Sequence, residues 1–256
     1  MCTDQPANRS PARTLELLWD TVTPPSRGPK PSLSVAKIVQ TAVEIADAEG
    51  LTAVSMRRVA DELGFTPMSL YRYVPSKDDL LELMQDAAAA LPPGVTLADM
   101  PGGWREGTRW WARQTLAMFR HHPWFLDIPL SRPPMGPNHV RWMESFLGAY
   151  ADTGLSHGEM MGVLQLVSTY TLSAGRIELN LTQASSQTGV APDEWDPIYG
   201  QLLAKVIDPA ELPMLARTLR SGVFDTEGTD PADDVEFGLE IILDGVEALI
   251  RRRQDD

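Results

Sequence analysis

Apolar residues recur at three- and four-residue spacing along almost the whole of this chain, and no alternating apolar pattern of strand length interrupts them. That periodicity restricts the fold to packed helices. In the clearest stretch Val35, Ile38, Val39, Ala42, Ile45 and Ala46 mark one helix face, with Ser34 placed to cap its start and Gly50 to stop it. Ser55 caps a second, short helix running to Leu63, and Gly64 follows as a residue free to take positive φ. Thr66 caps a third with Pro67 at its first position, where the missing amide proton costs nothing, and Val74-Pro75 halts it after about seven residues. On that helix Met68 and Leu70 are assigned to the core. Ser76, with Asp79 three residues on, starts a fourth that runs to about Ala90.

Further helices are expected over 103–121, 124–130, 137–152, 156–183, 194–206, 209–221 and 232–253, and Ser156-x-x-Glu159 is a capping-box signature for the long one. Breaks are expected at LPPG (91–94), SRPPMGP (131–137) and QASSQTGVAP (183–192). The expected class is all-α: an N-terminal three-helix unit followed by a larger helical bundle. Residues 1–32, rich in Pro, Arg and Ser, read as a flexible extension, in which Leu15, Leu17, Leu18 and Trp19 can form a helical turn that docks. The basic stretch RGPKP (27–31) is open to two readings, a solvated linker or an arm that reaches phosphates or a minor groove.

Composition narrows the setting. At 256 residues and 43% hydrophobic content the chain can bury a sizeable core. Its one cysteine, Cys2, can form neither an internal disulfide nor a metal cluster, which fits a reducing cytoplasm. Residues 1–20 lack the apolar core of a signal peptide, and the longest charge-free apolar stretch, Met160 to Gly175, falls short of the roughly 20 residues of a membrane span. The formal net charge of −13 is unevenly spread. From Arg27 to Lys77 seven Lys/Arg face five Asp/Glu, a balance of +2; from Leu91 to the end thirteen face twenty-three, a balance of −10. The acidity therefore does not exclude a nucleic-acid contact made by the N-terminal part.

Two short helices joined by a glycine-containing turn form a helix-turn-helix, whose second helix must send hydrogen-bonding side chains outward while keeping an apolar face inward. On 66–73 that leaves Thr66, Ser69, Tyr71, Arg72 and Tyr73 for water or a DNA groove, beside Pro67 at the helix start. Arginine reads guanine edges bidentately, while tyrosine and threonine hydroxyls and the Lys77 ammonium suit phosphate oxygens. Ser55 can present its amide or hydroxyl to the same backbone. Tyr71 can instead pack its ring inside the three-helix unit, and Arg58 can sit on a solvated face or pair with Glu62.

The stretch AEGLTAVSMRRVADELGFTPMSLYRYVPSKDDLLELM resembles the N-terminal DNA-binding region of TetR/AcrR-family transcriptional regulators. The likeness runs from about Leu33 to Met84 through the EGL lead-in (49–51), the SMRRVA run (55–60), the ELG turn (62–64) and the ending Leu70-Tyr71-x-Tyr73-Val74-x-x-Lys77 with Leu80. The resemblance implies a homodimer, two recognition helices on a pseudo-palindromic operator in double-stranded DNA, and a C-terminal part whose small-molecule effector controls DNA affinity. Carried over by position, Thr66, Ser69 and Arg72 face bases, and Ser55, Arg57, Tyr71, Tyr73 and Lys77 face phosphates. The chain departs from the family pattern at Pro67-Met68, where most members have a small or polar residue, and in its longer N-terminal extension. The expected organisation is an extension over 1–32, a DNA-binding domain over 33–80 and a ligand-binding and dimerisation domain over 81–256. Repression is the default mode because a dimer on an operator blocks polymerase. Activation by the same fold, or a helical ligand-binding protein without DNA binding, are the alternatives.

The larger part concentrates aromatic residues, which read either as helical core or as the walls of an effector pocket. The expected pocket set is Trp110, Trp111, Gln114, Phe119, Trp142, Phe146, Gln165, Thr169 and Tyr170, shaped for an amphipathic molecule. In the last helix Val235, Leu239, Ile242, Val246 and Leu249 follow a 4, 3, 4, 3 spacing, a coiled-coil-like seam. Joined by Met160, Val163 and Val167 from the long helix, these residues form the expected dimer interface, with central core helices of a monomer as the alternative. No catalytic reading competes: GxSxG, phosphate-binding glycine loops and HExxH are absent, and His121, His122, His139 and His157 lack ligand spacing. No cofactor, metal or membrane partner is expected, and the chain is not read as an enzyme.

Overall fold

A computed structural model describes residues 11–19, 33–91, 95–129, 133–191, 194–225 and 231–255. The basic stretch 27–31 and Cys2 lie outside the described residues, as do parts of the expected breaks at 91–94, 131–137 and 183–192. Among the described residues there are eleven α-helices and no strand. They fall into two compact units, Met1–Gln165 and Leu166–Asp256, so the division in compactness does not coincide with the expected boundary at 80/81.

In the first unit, α1 spans Pro11–Leu18, α2 Val35–Glu49, α3 Met56–Leu63, α4 Pro67–Tyr71 and α5 Lys77–Ala88. Local chemistry sets these ends. The side chains of Ser34, Ser55 and Ser76 each accept the amide three residues on, from Lys37, Arg58 and Asp79. Gly64 takes φ 73°; its amide reaches the Asp61 carbonyl while the Phe65 amide reaches Ala60, the paired bonds that close a helix through a left-handed residue. α4 is shorter than expected: the Tyr73 and Val74 amides both turn back onto Leu70, and Pro75 forces the preceding residue out of helical backbone. Ile38, Ala42, Val54, Val59, Ala60, Leu70, Val74, Leu80 and Met84 form one closed apolar centre for α2 to α5. The segment expected to be a flexible extension contributes α1, whose buried Leu17 docks it and whose Thr14 hydroxyl donates to Asp79 Oδ1 at 2.8 Å.

The same unit continues with α6, Trp104–His121, and α7, Pro137–Ala149. The helix expected at 124–130 is a single 3₁₀ stretch, Pro123–Asp127, because Ile128 precedes Pro129 and is extended at φ −82°, ψ 121°. α8, His157–Thr188, begins with the expected capping box: Glu159 accepts from the Ser156 amide at 2.9 Å and hydroxyl at 2.8 Å, and its own amide donates back to Ser156 Oγ. It continues past the expected end to Gly189, at φ 72°.

In the second unit the later part of α8 is followed by α9, Trp195–Val206, α10, Pro213–Arg220, and α11, Pro231–Asp255. α10 starts later than expected because Leu212 precedes Pro213 and leaves helical backbone, at ψ 58°. Tyr170 on α8 donates its hydroxyl to the Val235 carbonyl at 2.9 Å, and Gly238 gives that ring room, since a Cβ there would overlap it. No helix among the described residues is long and apolar enough to cross a membrane.

Candidate nucleic-acid interface and sensing core

The α3–turn–α4 segment presents the chemistry expected of a DNA-reading edge. Leu70 is fully buried and fastens α4 to the unit, while Thr66, Tyr71, Arg72 and Lys77 are exposed and Ser55, Pro67, Ser69 and Tyr73 are half-buried around them. Tyr71 therefore does not pack its ring inward. Thr66 starts α4 without a side-chain cap; its hydroxyl meets that of Ser69 at 3.0 Å, leaving both at the surface. Arg57 is exposed, with Asp61 at a loose 3.8 Å. Arg58 is committed elsewhere, reaching Glu62 at 2.5 Å and Glu49 at 2.8 Å, which ties α3 to the end of α2.

Met68 corrects the sequence reading. It is 73% exposed, beside Arg72 and not in the core. Residues two apart on a helix cannot share a face, so once Leu70 points inward Met68 must point out. That spacing was the available signal. An exposed thioether at this edge can meet a thymine methyl, a contact apolar side chains make in the major groove.

The aromatic residues of α6 and α7 gather in the first unit. Trp142 lies 5.7 Å from Trp110 and 5.9 Å from Trp111, and Trp111 meets Phe146 edge-on at 5.4 Å. Both indoles have an acceptor: buried Trp111 donates to the Trp142 carbonyl, and half-buried Trp142 donates to the carbonyl of Ala89, the residue that caps the end of α5, at 2.7 Å. Phe146 stacks on Tyr150, which is held by Thr108 at 2.7 Å. Thr108 spends its own proton on the Trp104 carbonyl, so the phenol is the donor, and burial pushes its pKa up to about 12. Phe119 belongs to a separate group with Phe125. Of the other expected pocket residues, Gln114 is half-buried, Gln165 and Thr169 are exposed, and Tyr170 is occupied by α11. An open cleft of about 540 Å³ lies between the start of α6 and the end of α7, walled by Met100, Trp104, Glu144, Gly148 and Asp152 among others. None of the nine expected pocket residues lines it.

The expected dimer seam divides. Met160, Val163, Val167, Leu239 and Val246 are buried within the chain, and Val235, Ile242 and Leu249 are half-buried. The first five cannot serve as a free interface, because they already spend their apolar surface inside the protomer. The outward faces carry other residues: Leu166 and Ile177 on α8, and on α11 Phe237, 70% exposed, and Ile241, 58% exposed.

Comparison with known proteins agrees with this architecture. Residues 38–84 match the family described as bacterial regulatory proteins, tetR family, and residues 98–250 match the tetracyclin repressor-like C-terminal domain. The chain is 44% identical over 246 residues to the HTH-type transcriptional repressor DrrR1 of Streptomyces coeruleorubidus, covering 96% of this chain and 88% of that protein. Among solved structures it resembles apo ActR from Streptomyces coelicolor, with TM-score 0.68 and 29% identity over 88% of this chain and 99% of the other. ActR in complex with actinorhodin aligns with TM-score 0.65 and 30% identity, covering 84% and 96%.

Proposed function

Because the chain belongs to the TetR family of transcriptional regulators, we propose that it is a homodimeric repressor, bound to a pseudo-palindromic operator and released by a small amphipathic molecule. A regulator of this family is not an enzyme. The observation that carries the DNA reading is the face of α4: one buried leucine holds the helix, and Thr66, Met68, Tyr71 and Arg72 are left outward at its exposed edge. In this reading Arg72, Ser69 and Thr66 face bases, with Met68 added to them. Ser55, Arg57, Tyr71, Tyr73 and Lys77 hold phosphates, around Pro67 at the helix start. DNA binding belongs to residues 33–80, and effector binding and dimerisation to 81–256. The site of action is the cytoplasm.

Dimerisation is assigned to the outward faces of α8 and α11. Phe237 and Ile241 are one turn apart, followed by Gly245 and Ala248 on the same exposed stripe; Leu166 and Ile177 are three turns apart on α8. Apolar side chains so exposed on two helices favour a partner surface. A second copy would supply the same two stripes and set the recognition helices near one DNA turn apart, about 34–36 Å, or a multiple of it. For the effector, the aromatic residues of α6 and α7 are the proposed walls. ActR binds actinorhodin, which supports a small-molecule effector for this chain.

The test needs no known operator. The purified chain should retain a subset of genomic DNA fragments at low salt and lose them as salt rises. A Tyr71→Ala/Arg72→Ala variant should lose retention while keeping its helical circular dichroism. Retention absent in the wild type, or unaffected in that folded variant, refutes DNA reading by α4.

A further inference from the structure

Helix α7 has no cap of its own. Its N-cap residue is Gly136, which offers no side chain, and its first turn carries no acidic residue. The cap comes from α5, fifty-two residues earlier. Asp86, 6% exposed, accepts from the backbone amides of Asn138 and His139 with Oδ1 at 3.1 Å each. His139 Nδ1 lies 3.1 Å from the same oxygen. The Asn138 side-chain amide donates to the Asp86 carbonyl at 2.9 Å and lies 3.3 Å from Oδ2. A Cβ built on residue 136 would fall on this carboxylate. At φ −75° any residue could adopt the Gly136 backbone, so glycine is required there by space alone.

We propose that Asp86 is the positioning residue that couples the sensing part of the chain to DNA binding, by capping α7 from α5; this rests on the regulator reading above. α5 follows the recognition helix after only five residues, so its placement sets that of α4. α7 carries Trp142 and Phe146 of the aromatic cluster, so whatever displaces that cluster acts on α7. Between the two helices stand the Asp86 cap and, one turn on, the bond from the Trp142 indole to the Ala89 carbonyl. A carboxylate cap is short and directional: it holds only while both helix amides point at it, and a shift of about an ångström or two along α7 breaks it. The capped arrangement is the DNA-competent one, and loss of the cap frees α5.

The test uses the full chain with Asp86→Asn, Asp86→Ala, Gly136→Ala and the double variant Gly136→Ala/Asp86→Ala. Two readouts are hydrogen exchange and affinity for a duplex recovered from the genomic fragments that the wild type retains. In Asp86→Ala, amides of residues 77–88 and 138–142 should exchange at least tenfold faster while those of 56–63 hold their wild-type rates. Affinity for the duplex should fall at least tenfold. Gly136→Ala should reproduce both effects alone and add only a part of its own effect in the Asp86→Ala background, because the carboxylate it overlaps most is then gone and only the Cβ of residue 86, at 2.6 Å, remains in its way. If Asp86→Ala does not fold, Asp86→Asn carries the test: it keeps the size and one acceptor but turns an amide toward two donors. Wild-type exchange at 77–88 together with unchanged affinity in either folded Asp86 variant overturns the coupling. So does a Gly136→Ala effect that adds in full to that of Asp86→Ala. A wild type that retains no DNA removes the regulator reading, and the coupling with it; retention by the wild type with unaltered variants removes the coupling alone.

Discussion

Asp47, near the end of α2, accepts the Trp124 indole proton at 2.6 Å and contacts His122 Nδ1 at 2.7 Å, so one carboxylate fastens the N-terminal helices to the end of α6. Trp124 is only 2% exposed. Replacing Asp47 by alanine strands a buried indole N–H, at a cost of about 1–3 kcal/mol. The His122 contact is partly solvated and adds less, so a total near 2–3 kcal/mol is expected. Asp47→Asn can keep an oxygen in the accepting position and should cost about 1 kcal/mol or less. The assay is urea unfolding followed by circular dichroism, which does not depend on tryptophan emission; the midpoint should move at constant slope. The diagnostic step is a double-mutant cycle with Trp124→Phe, which removes the donor. In that background Asp47→Ala should cost about 1–2 kcal/mol less than in the wild type. If Asp47→Ala unfolds within about 0.5 kcal/mol of the wild type, or if its cost is the same with Phe at 124, the indole bond does not hold this joint.

Leu70→Ala should destabilise the N-terminal helices by about 2–5 kcal/mol, since the side chain is fully buried and its loss leaves a cavity; hydrogen exchange over 56–71 should accelerate while α8 and α11 stay protected. Phe237→Glu with Ile241→Glu should convert the proposed dimer to monomer in sedimentation at unchanged helical content, whereas Leu239→Ala, on the buried face, should lower stability without dissociating it first. Tyr150 should ionise last among the tyrosines in an ultraviolet pH titration. Its pKa in the folded chain is about 12 against 10 when exposed, so the neutral phenol's contribution to stability is whole below pH 10 and lost as pH rises toward 12. Tyrosinate absorbance complete by pH 10.5 in the folded protein would contradict the buried phenol.

The features legible in the sequence are those whose chemistry is local. Ser34, Ser55, Ser76 and the Ser156–Glu159 pair announce helix starts because a cap needs only residues three apart. The outward set on α4 was legible for the same reason, apart from Met68, where hydrophobic character was given more weight than the half-turn offset from Leu70. The tail of α8 beyond residue 183 escaped because a solvated helix needs no apolar face, and its end is marked only by Gly189. The seam expected on α11 divides between buried and half-buried positions for a deeper reason. Heptad spacing identifies apolar stripes but not their partners, and Leu239, Leu243, Val246 and Ile250 form the stripe that closes on the chain itself. The joints built by Asp47 and Asp86 could not be seen at all, since each links residues more than fifty positions apart through a single carboxylate.

The double pairing of Arg58 with Glu49 and Glu62 also limits how the molecule can compete with ions for DNA. A guanidinium already neutralised by two carboxylates displaces no counterion, so Arg57, Arg72 and Lys77 are the cations that each protomer's interface has to offer. For a dimer that is six, and the logarithm of the association constant should fall with the logarithm of salt concentration at a slope of about −5. A clearly steeper slope would point to charges outside this interface, of which exposed Lys37 at the start of α2 is the nearest in sequence, followed by Lys30 and Arg27.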